Sequence, residues 1–238
     1  MKAIYQSERA AVYLGDARDV LGEIQTESVD LVIADPPYGV EWQSRRRSSS
    51  FGLMAGDDND RAGVRESLVE CVRVVGQNRH LYVFGPPEVL SGLKVTEPVE
   101  LVWDKGVMGS GDLSAPWGPQ HETISFLVSK HRHGGETGGT SVAARRRKGS
   151  VLRFGRRTGR TVRHPSEKPT DLLAELIESS SRIGELVLDP FGGSGSTAVA
   201  AILLGRRAII AEIESRYVDL AVERIRTAEE LRNRMEAT

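Results

Sequence analysis

A single cysteine, Cys71, stands among the 238 residues. The chain can therefore form no internal disulfide and no cysteine-based zinc cluster, and a reducing intracellular compartment is the natural expectation. Long hydrophobic runs are missing as well: the longest, Ala198 to Leu204, is far too short to cross a bilayer. The start, Met1-Lys2-Ala3-Ile4, leads directly into polar residues, which reads as a soluble, unprocessed chain. Two nucleotide signatures are absent from its Gly-rich turn. No Lys precedes Ser196 or Thr197, which excludes a Walker loop, and Gly193-Ser194-Gly195 stops short of the Gly-x-Gly-x-x-Gly that cradles a dinucleotide. The acidic run Asp57-Asp58-Asn59-Asp60 lacks the Gly and distal Glu of a calcium-binding EF-hand loop and reads as solvated.

What is present is distributed unevenly. Lys130 to Arg163 holds eleven Lys and Arg against one acid, Glu136, and so carries +10 of a chain whose net charge is −1; the remainder carries −11. A basic segment on an acidic body is the asymmetry expected when one surface meets a polyanion. This stretch has seven glycines, the clusters Arg145-Arg146-Arg147-Lys148 and Arg156-Arg157, and one aromatic, Phe154. It reads as an insert outside the sheet, dividing a main domain (1–130 and 164–238) from a recognition insert (131–163). A second irregular stretch, Glu41 to Asp60, carries Arg45-Arg46-Arg47 and a Ser run and reads as a loop.

Elsewhere apolar runs alternate with helical patterns, which argues for a mostly parallel sheet with helices on both faces. The expected strands are Ala11 to Leu14, Leu31 to Ala34, His80 to Phe84, Val99 to Trp103, Thr123 to Val128, Leu186 to Leu188 and Ala208 to Ala211. Among the expected helices, Arg61 to Val75 stripes Leu68, Cys71, Val72 and Val75, and Thr170 to Arg182 stripes Leu172, Leu173, Leu176 and Ile177. A last helix from Glu214 to about Arg232 stripes Val218, Leu220, Ala221 and Ile225. Cys71 is thereby expected in the core rather than at a reactive site.

Two strand tips carry the chemistry. Asp35-Pro36-Pro37-Tyr38 follows the run ending at Ala34. Two prolines lack N–H groups and stop the ladder, leaving carbonyls that can accept hydrogen bonds from a ligand. A planar ring bearing an amine fits that arrangement, held by Asp35 and the Pro36 carbonyl and stacked on Tyr38. The second tip is Asp189-Pro190-Phe191-Gly192-Gly193-Ser194-Gly195-Ser196-Thr197, a strand end, Gly-rich turn and helix start. Glycines let a ligand approach the backbone, and the helix start offers N–H groups to a carboxylate. About 20 residues on, Glu212 ends the next strand, placed to hold a ribose diol. An adenosine-type ligand carrying a carboxylate fits both ends.

With these motifs in order, the chain resembles the β-class DNA amino-methyltransferases that use S-adenosylmethionine. The resemblance runs through Leu14-Gly15-Asp16, Asp35 to Tyr38, Leu101-Val102-Trp103-Asp104-Lys105, His164-Pro165-Ser166-Glu167-Lys168-Pro169, Asp189 to Thr197 and Glu212. It implies a Rossmann-like, seven-stranded mixed sheet with a small basic recognition insert. It further implies cofactor contacts from Asp16 (adenine), Glu212 (ribose) and Phe191, Gly193 and Lys168 (methionine part), together with Ser166, Asp189, Ser194 and Gly195. Asp35, Pro36, Pro37 and Tyr38 would be catalytic. Arg45, Arg46, Arg47, Arg145, Arg146, Arg147, Lys148, Arg156 and Arg157 would contact double-stranded DNA, and a homodimer is compatible with the resemblance. Asp rather than Ser at position 35 favours adenine N6 over cytosine N4. RNA and protein-amide methyltransferases carry related Pro-Pro-Tyr motifs, but motif order and the basic insert favour DNA. A nucleic-acid-binding protein without catalysis is the alternative from another class, and it would bind no cofactor.

Overall fold

In the computed structural model, residues 1–37, 61–108, 116–129, 148–155 and 167–237 are described. They form one nine-stranded sheet flanked by five α-helices. The strands are β1 (Tyr5–Gln6), β2 (Ala10–Leu14), β3 (Val29–Ala34), β4 (Val75–Phe84), β5 (Val99–Asp104), β6 (His121–Val128), β7 (Val151–Arg153), β8 (Leu186–Asp189) and β9 (Arg207–Glu212). The helices are α1 (Ala17–Glu23), α2 (Arg61–Val74), α3 (Thr170–Ser180), α4 (Ser196–Leu203) and α5 (Ser215–Glu236). Spatial order across the sheet is β1-β2-β9-β8-β3-β4-β6-β5-β7. The five central strands from β2 to β4 run parallel, and β6 pairs antiparallel with both β4 and β5.

All seven expected strands are there, and two more extend the edges. β1 is only two residues long, too short for any alternation to register. β7 corrects the sequence reading: Val151–Arg153 falls inside the stretch expected to lie outside the sheet, yet it pairs parallel with β5 through Val102↔Val151 and Trp103↔Leu152. Its pairing is fixed tertiarily. The Trp103 indole Nε1 donates to the Phe154 carbonyl at 2.7 Å, and Leu152 is buried. Three residues flanked by arginines and glycines give no local sign of that.

Side chains alternate across the central strands and divide the core in two. Leu31, Ile33, Tyr82 and Phe84 face α3, α4 and α5, where Leu172, Leu173, Leu176, Ile177, Val218, Ala221 and Ile225 are buried. Val32, Ala34, Leu81 and Val83 face α1 and α2, with Leu68 and Cys71. Cys71 is fully buried, and burial pushes its thiol above the ordinary range, so it packs as a small apolar residue. Helix α2 passes directly into β4 at Val75, one residue earlier than its periodicity suggests.

The parallel strands reverse their winding between β3 and β8. From β3 the chain proceeds outward to β4, with α2 on one face; from β8 it proceeds the other way to β9, with α4 on the opposite face. β3 and β8 are direct neighbours through Leu31↔Val187 and Val32↔Leu188. Their carboxyl ends therefore open a crevice at a topological switch point, where open α/β sheets bind ligands.

Candidate functional site

Four neighbouring strands each deliver a carboxylate to that edge: Asp16 just beyond β2, Glu212 ending β9, Asp189 ending β8 and Asp35 just beyond β3. Asp35, Lys168, Asp189, Phe191, Gly193 and Ser194 line one cleft there, joined by Phe84 from β4 and Thr197 from α4. The two motifs, about 155 residues apart in the chain, thus form a single site. Tyr38, Ser166, Arg45, Arg46, Arg47, Arg145, Arg146, Arg147, Arg156 and Arg157 lie outside the described residues.

The Asp189 carboxylate is held inside its own turn. Thr197 Oγ1 donates to Oδ2 at 2.6 Å, and the Phe191 N–H donates to Oδ1 at 3.0 Å. Burial nevertheless pushes this carboxyl up to about 7, against the pull of those two donors. Glu212 accepts from the Gly193 N–H on one oxygen and from the Glu214 N–H on the other, each at 2.8 Å. Burial raises it too, outweighing the backbone donors. Each of its oxygens keeps a further lone pair, so a diol can still be accommodated.

Asp16 caps the N-terminus of α1, accepting from the Arg18 N–H at 2.8 Å, and forms a fork with the same guanidinium at 2.9 and 2.7 Å. The Arg18 side chain holds its carboxyl below the usual range. At this position capping and cofactor contact are compatible uses of one acid.

The glycines have a more specific explanation than ligand approach. A Cβ on Gly195, which has φ +78°, would lie 2.9 Å from the Ala221 Cβ of α5, and one on Gly192 would lie 2.8 Å from the Ile210 Cβ of β9. The turn is thus wedged between strand and helix, leaving Gly193, at φ +49°, to aim its N–H at Glu212.

Lys168 is the best-engaged charge in the cleft. Its Nζ sits 2.5 Å from Asp35 Oδ2 and 3.5 Å from Glu122 Oε2, 4.9 Å from the Phe84 ring centroid, with only 9% of its surface exposed. Burial works against the ammonium, but Asp35 and Glu122 outweigh it and hold the pKa above the ordinary lysine value. Glu122 in turn pairs with Lys105 at 2.6 Å. Charges therefore alternate along Asp35, Lys168, Glu122 and Lys105, from β3 to the segments following β5.

Sequence reasoning found the first two and missed Glu122, whose strand shows no motif around it. It also missed Arg224 of α5. That side chain donates to the Ser194 carbonyl at 2.8 Å and the Ser194 hydroxyl at 2.6 Å, and pairs with the buried Glu167 at 3.2 Å. It ties the Gly-rich turn to the segment bearing Lys168. Lys148, expected on nucleic acid, pairs with Glu175 of α3 in this structure, at a partly exposed position.

Comparison with known proteins relates the chain to DNA methyltransferases. Residues 29–223 match the model of the N6/N4 methyltransferase family, whose description is DNA methylase. The DNA adenine methyltransferase YhdJ of Escherichia coli K12 is 28% identical over 94% of this chain and 85% of its own length. The type II methyltransferase M.HinfI of Haemophilus influenzae is 26% identical over 89% and 67%. Among solved structures, the complex of M1.HpyAVI with SAM superposes with a TM-score of 0.68 at 20% identity, covering 91% of this chain and 98% of that one. The cytosine-N4-specific PvuII DNA methyltransferase gives 0.67 at 16% identity, covering 98% and 94%. At these identities the structural likeness speaks for the fold.

Proposed function

The chain belongs to the N6/N4 family of DNA methylases, and on that premise we propose that it methylates the exocyclic N6 amine of adenine in double-stranded DNA. The observation that carries the reading is the convergence of Asp35 and the Asp189–Thr197 turn on one cleft at the β3/β8 switch point. An Asp at position 35, rather than the Ser more frequent in cytosine-N4 members of the family, supports adenine.

The cofactor is S-adenosylmethionine. The residues present fit it: carboxylates at adjacent strand tips suit hydroxyl and amine donors, and Gly193 lines the cleft together with Phe191 and Lys168. When bound, it supplies an electrophilic sulfonium methyl. Asp16 and Glu212 would hold its nucleoside and Phe191, Gly193 and Lys168 its methionine part, with further cofactor contacts from Asp189, Ser194 and Gly195 and from Ser166, which lies outside the described residues.

The adenine amine is a poor nucleophile because its lone pair is delocalised into the ring. Asp35 and the Pro36 carbonyl accept its two hydrogens, which favours a tetrahedral nitrogen with a localised lone pair, while Pro37 stiffens the turn. Fixing the amine in line supplies most of the remaining acceleration. Once methylated, the cationic amine is strongly acidic and gives its proton to Asp35 or solvent. In a duplex the base must first leave the stack, which costs roughly a few kcal/mol, and Tyr38 recovers stacking on the extruded ring. The basic stretches containing Arg45 to Arg47, Arg145 to Lys148 and Arg156-Arg157 supply phosphate contacts.

The test is nucleoside mass spectrometry of unmethylated bacterial DNA after incubation with the protein and S-adenosylmethionine, beside Asp35→Ala. N6-methyladenine with the wild type alone is the expected result. N4-methylcytosine would keep the mechanism and move the target. Wild-type turnover by Asp35→Ala, with normal cofactor affinity, would overturn the assigned chemistry.

A further inference from the structure

Lys168 poses a difficulty for the chemistry just described. Its ammonium lies 2.5 Å from Asp35 Oδ2, so the carboxylate that must receive the target amine is already engaged by a nine-tenths buried cation. That cation cannot simply be abandoned. An ammonium out of water without a counter-charge is strongly unfavourable, and Phe84 beneath it offers only a ring face.

Among the described residues, the second carboxylate in ion-pair reach is Glu122, and its geometry suits a receiver. Its two oxygens are divided: Oε1 is held by Lys105 at 2.6 Å, while Oε2 faces Lys168 at 3.5 Å. Lys105 is itself steadied 5.2 Å above the Trp103 ring, and Trp103 sits opposite Glu122 in the β5/β6 pairing. Glu122 is therefore fixed from behind on a sheet strand. The long, flexible lysine side chain is the part free to move between a near partner and a slightly farther one.

We propose that Glu122 is a positioning residue for the transfer, taking over the Lys168 ammonium when the target amine occupies Asp35. The inference rests on the methyltransferase reading above. No bond is made or broken in the exchange: Lys168 keeps its proton, one ion pair is replaced by another, and Asp35 Oδ2 is released to accept the amine hydrogen. Without Glu122, no described protein carboxylate other than Asp35 is in ion-pair reach of the lysine, and the amine would have to compete with a full positive charge for the same oxygen.

The experiment measures steady-state methylation of unmethylated bacterial DNA by the full chain, with S-adenosylmethionine affinity measured by calorimetry, for wild type, Glu122→Gln and Glu122→Asp. Glu122→Gln is expected to lower kcat at least ten-fold. Glu122→Asp, which keeps the charge one methylene farther back, is expected to fall between. KM for DNA and cofactor affinity should remain within two-fold of wild type in both. Wild-type kcat in Glu122→Gln, or a loss in Glu122→Asp carried by KM or cofactor affinity, overturns the assignment. A wild-type protein that binds cofactor but methylates no DNA overturns instead the functional reading beneath it.

Discussion

Glu212 has two tasks at once. It is the acid proposed to hold the ribose, and it also accepts the Gly193 and Glu214 N–H groups that shape the turns on either side. Removing it leaves two partly buried N–H donors unpaired, each costing roughly 1–3 kcal/mol. Glu212→Ala is therefore expected to weaken S-adenosylmethionine at least ten-fold in calorimetry and also to lower the thermal midpoint. Glu212→Gln keeps one acceptor oxygen and should lose less of both. Unchanged cofactor affinity in the alanine variant would remove the ribose assignment.

Among the elements, the turn joining β8 to α4 depends on close packing against β9 and α5. Gly195→Ala would place a methyl 2.9 Å from the Ala221 Cβ and require φ +78° of an alanine. The combined clash and strain are expected to cost about 1–3 kcal/mol, measured as a lowered denaturation midpoint, with cofactor affinity falling as α4 is pushed from α5. Arg224 supports the same turn from outside. Arg224→Met should loosen Ser194 and uncouple Glu167, seen as weaker cofactor binding with little change in the pairing of β3 and β8. The strand β7 alters how the proposed DNA-binding stretch is tested. Since Val151–Arg153 completes the sheet edge, a deletion should be confined to residues 134–147. That deletion is expected to weaken duplex binding and its salt dependence while leaving cofactor affinity intact.

Over the whole molecule, two buried groups set opposing pH dependences. Asp189 is raised by burial to about 7, so folding favours its protonated form. Its contribution is full below the ordinary carboxylate range and is lost as pH rises toward about 7. His80, buried against Phe126 and hydrogen-bonded to Ser180 Oγ at 2.8 Å, is lowered by burial, aided by Arg79, to about 4. Folding favours its neutral form, so its contribution is gained as pH rises from about 4 through the ordinary histidine value. The two slopes offset each other across that interval. Glu212, also raised by burial, adds to the Asp189 slope, so chemical denaturation of the wild type should show a stability that declines only gently between about pH 4 and 6.5. Asp189→Asn should reveal a rise with pH, and His80→Gln a fall; unaltered slopes in both variants would mean that neither group is held in the stated form.

Much of this was legible in the sequence because it is written locally. The alternation of β3 and β4, the stripe of α3, and the prolines after Asp35 each depend on a few adjacent residues, and strand ends followed by acids mark the functional edge of a parallel sheet. Glu122, Arg224 and β7 were not legible for a shared reason. A carboxylate on a strand, an arginine on a charged helix and three residues among glycines acquire meaning only from what lies across from them. The sequence by itself determined the fold class, the motifs and the family resemblance, since periodicity, turn chemistry and motif order are properties of neighbouring residues. Only the tertiary structure decided that Lys168 lies between Asp35 and Glu122, that the glycines make room for Ile210 and Ala221, and that a basic segment lends a strand to the sheet edge. Those are distances between residues far apart in the chain, and they follow from packing against the whole sheet rather than from local preference.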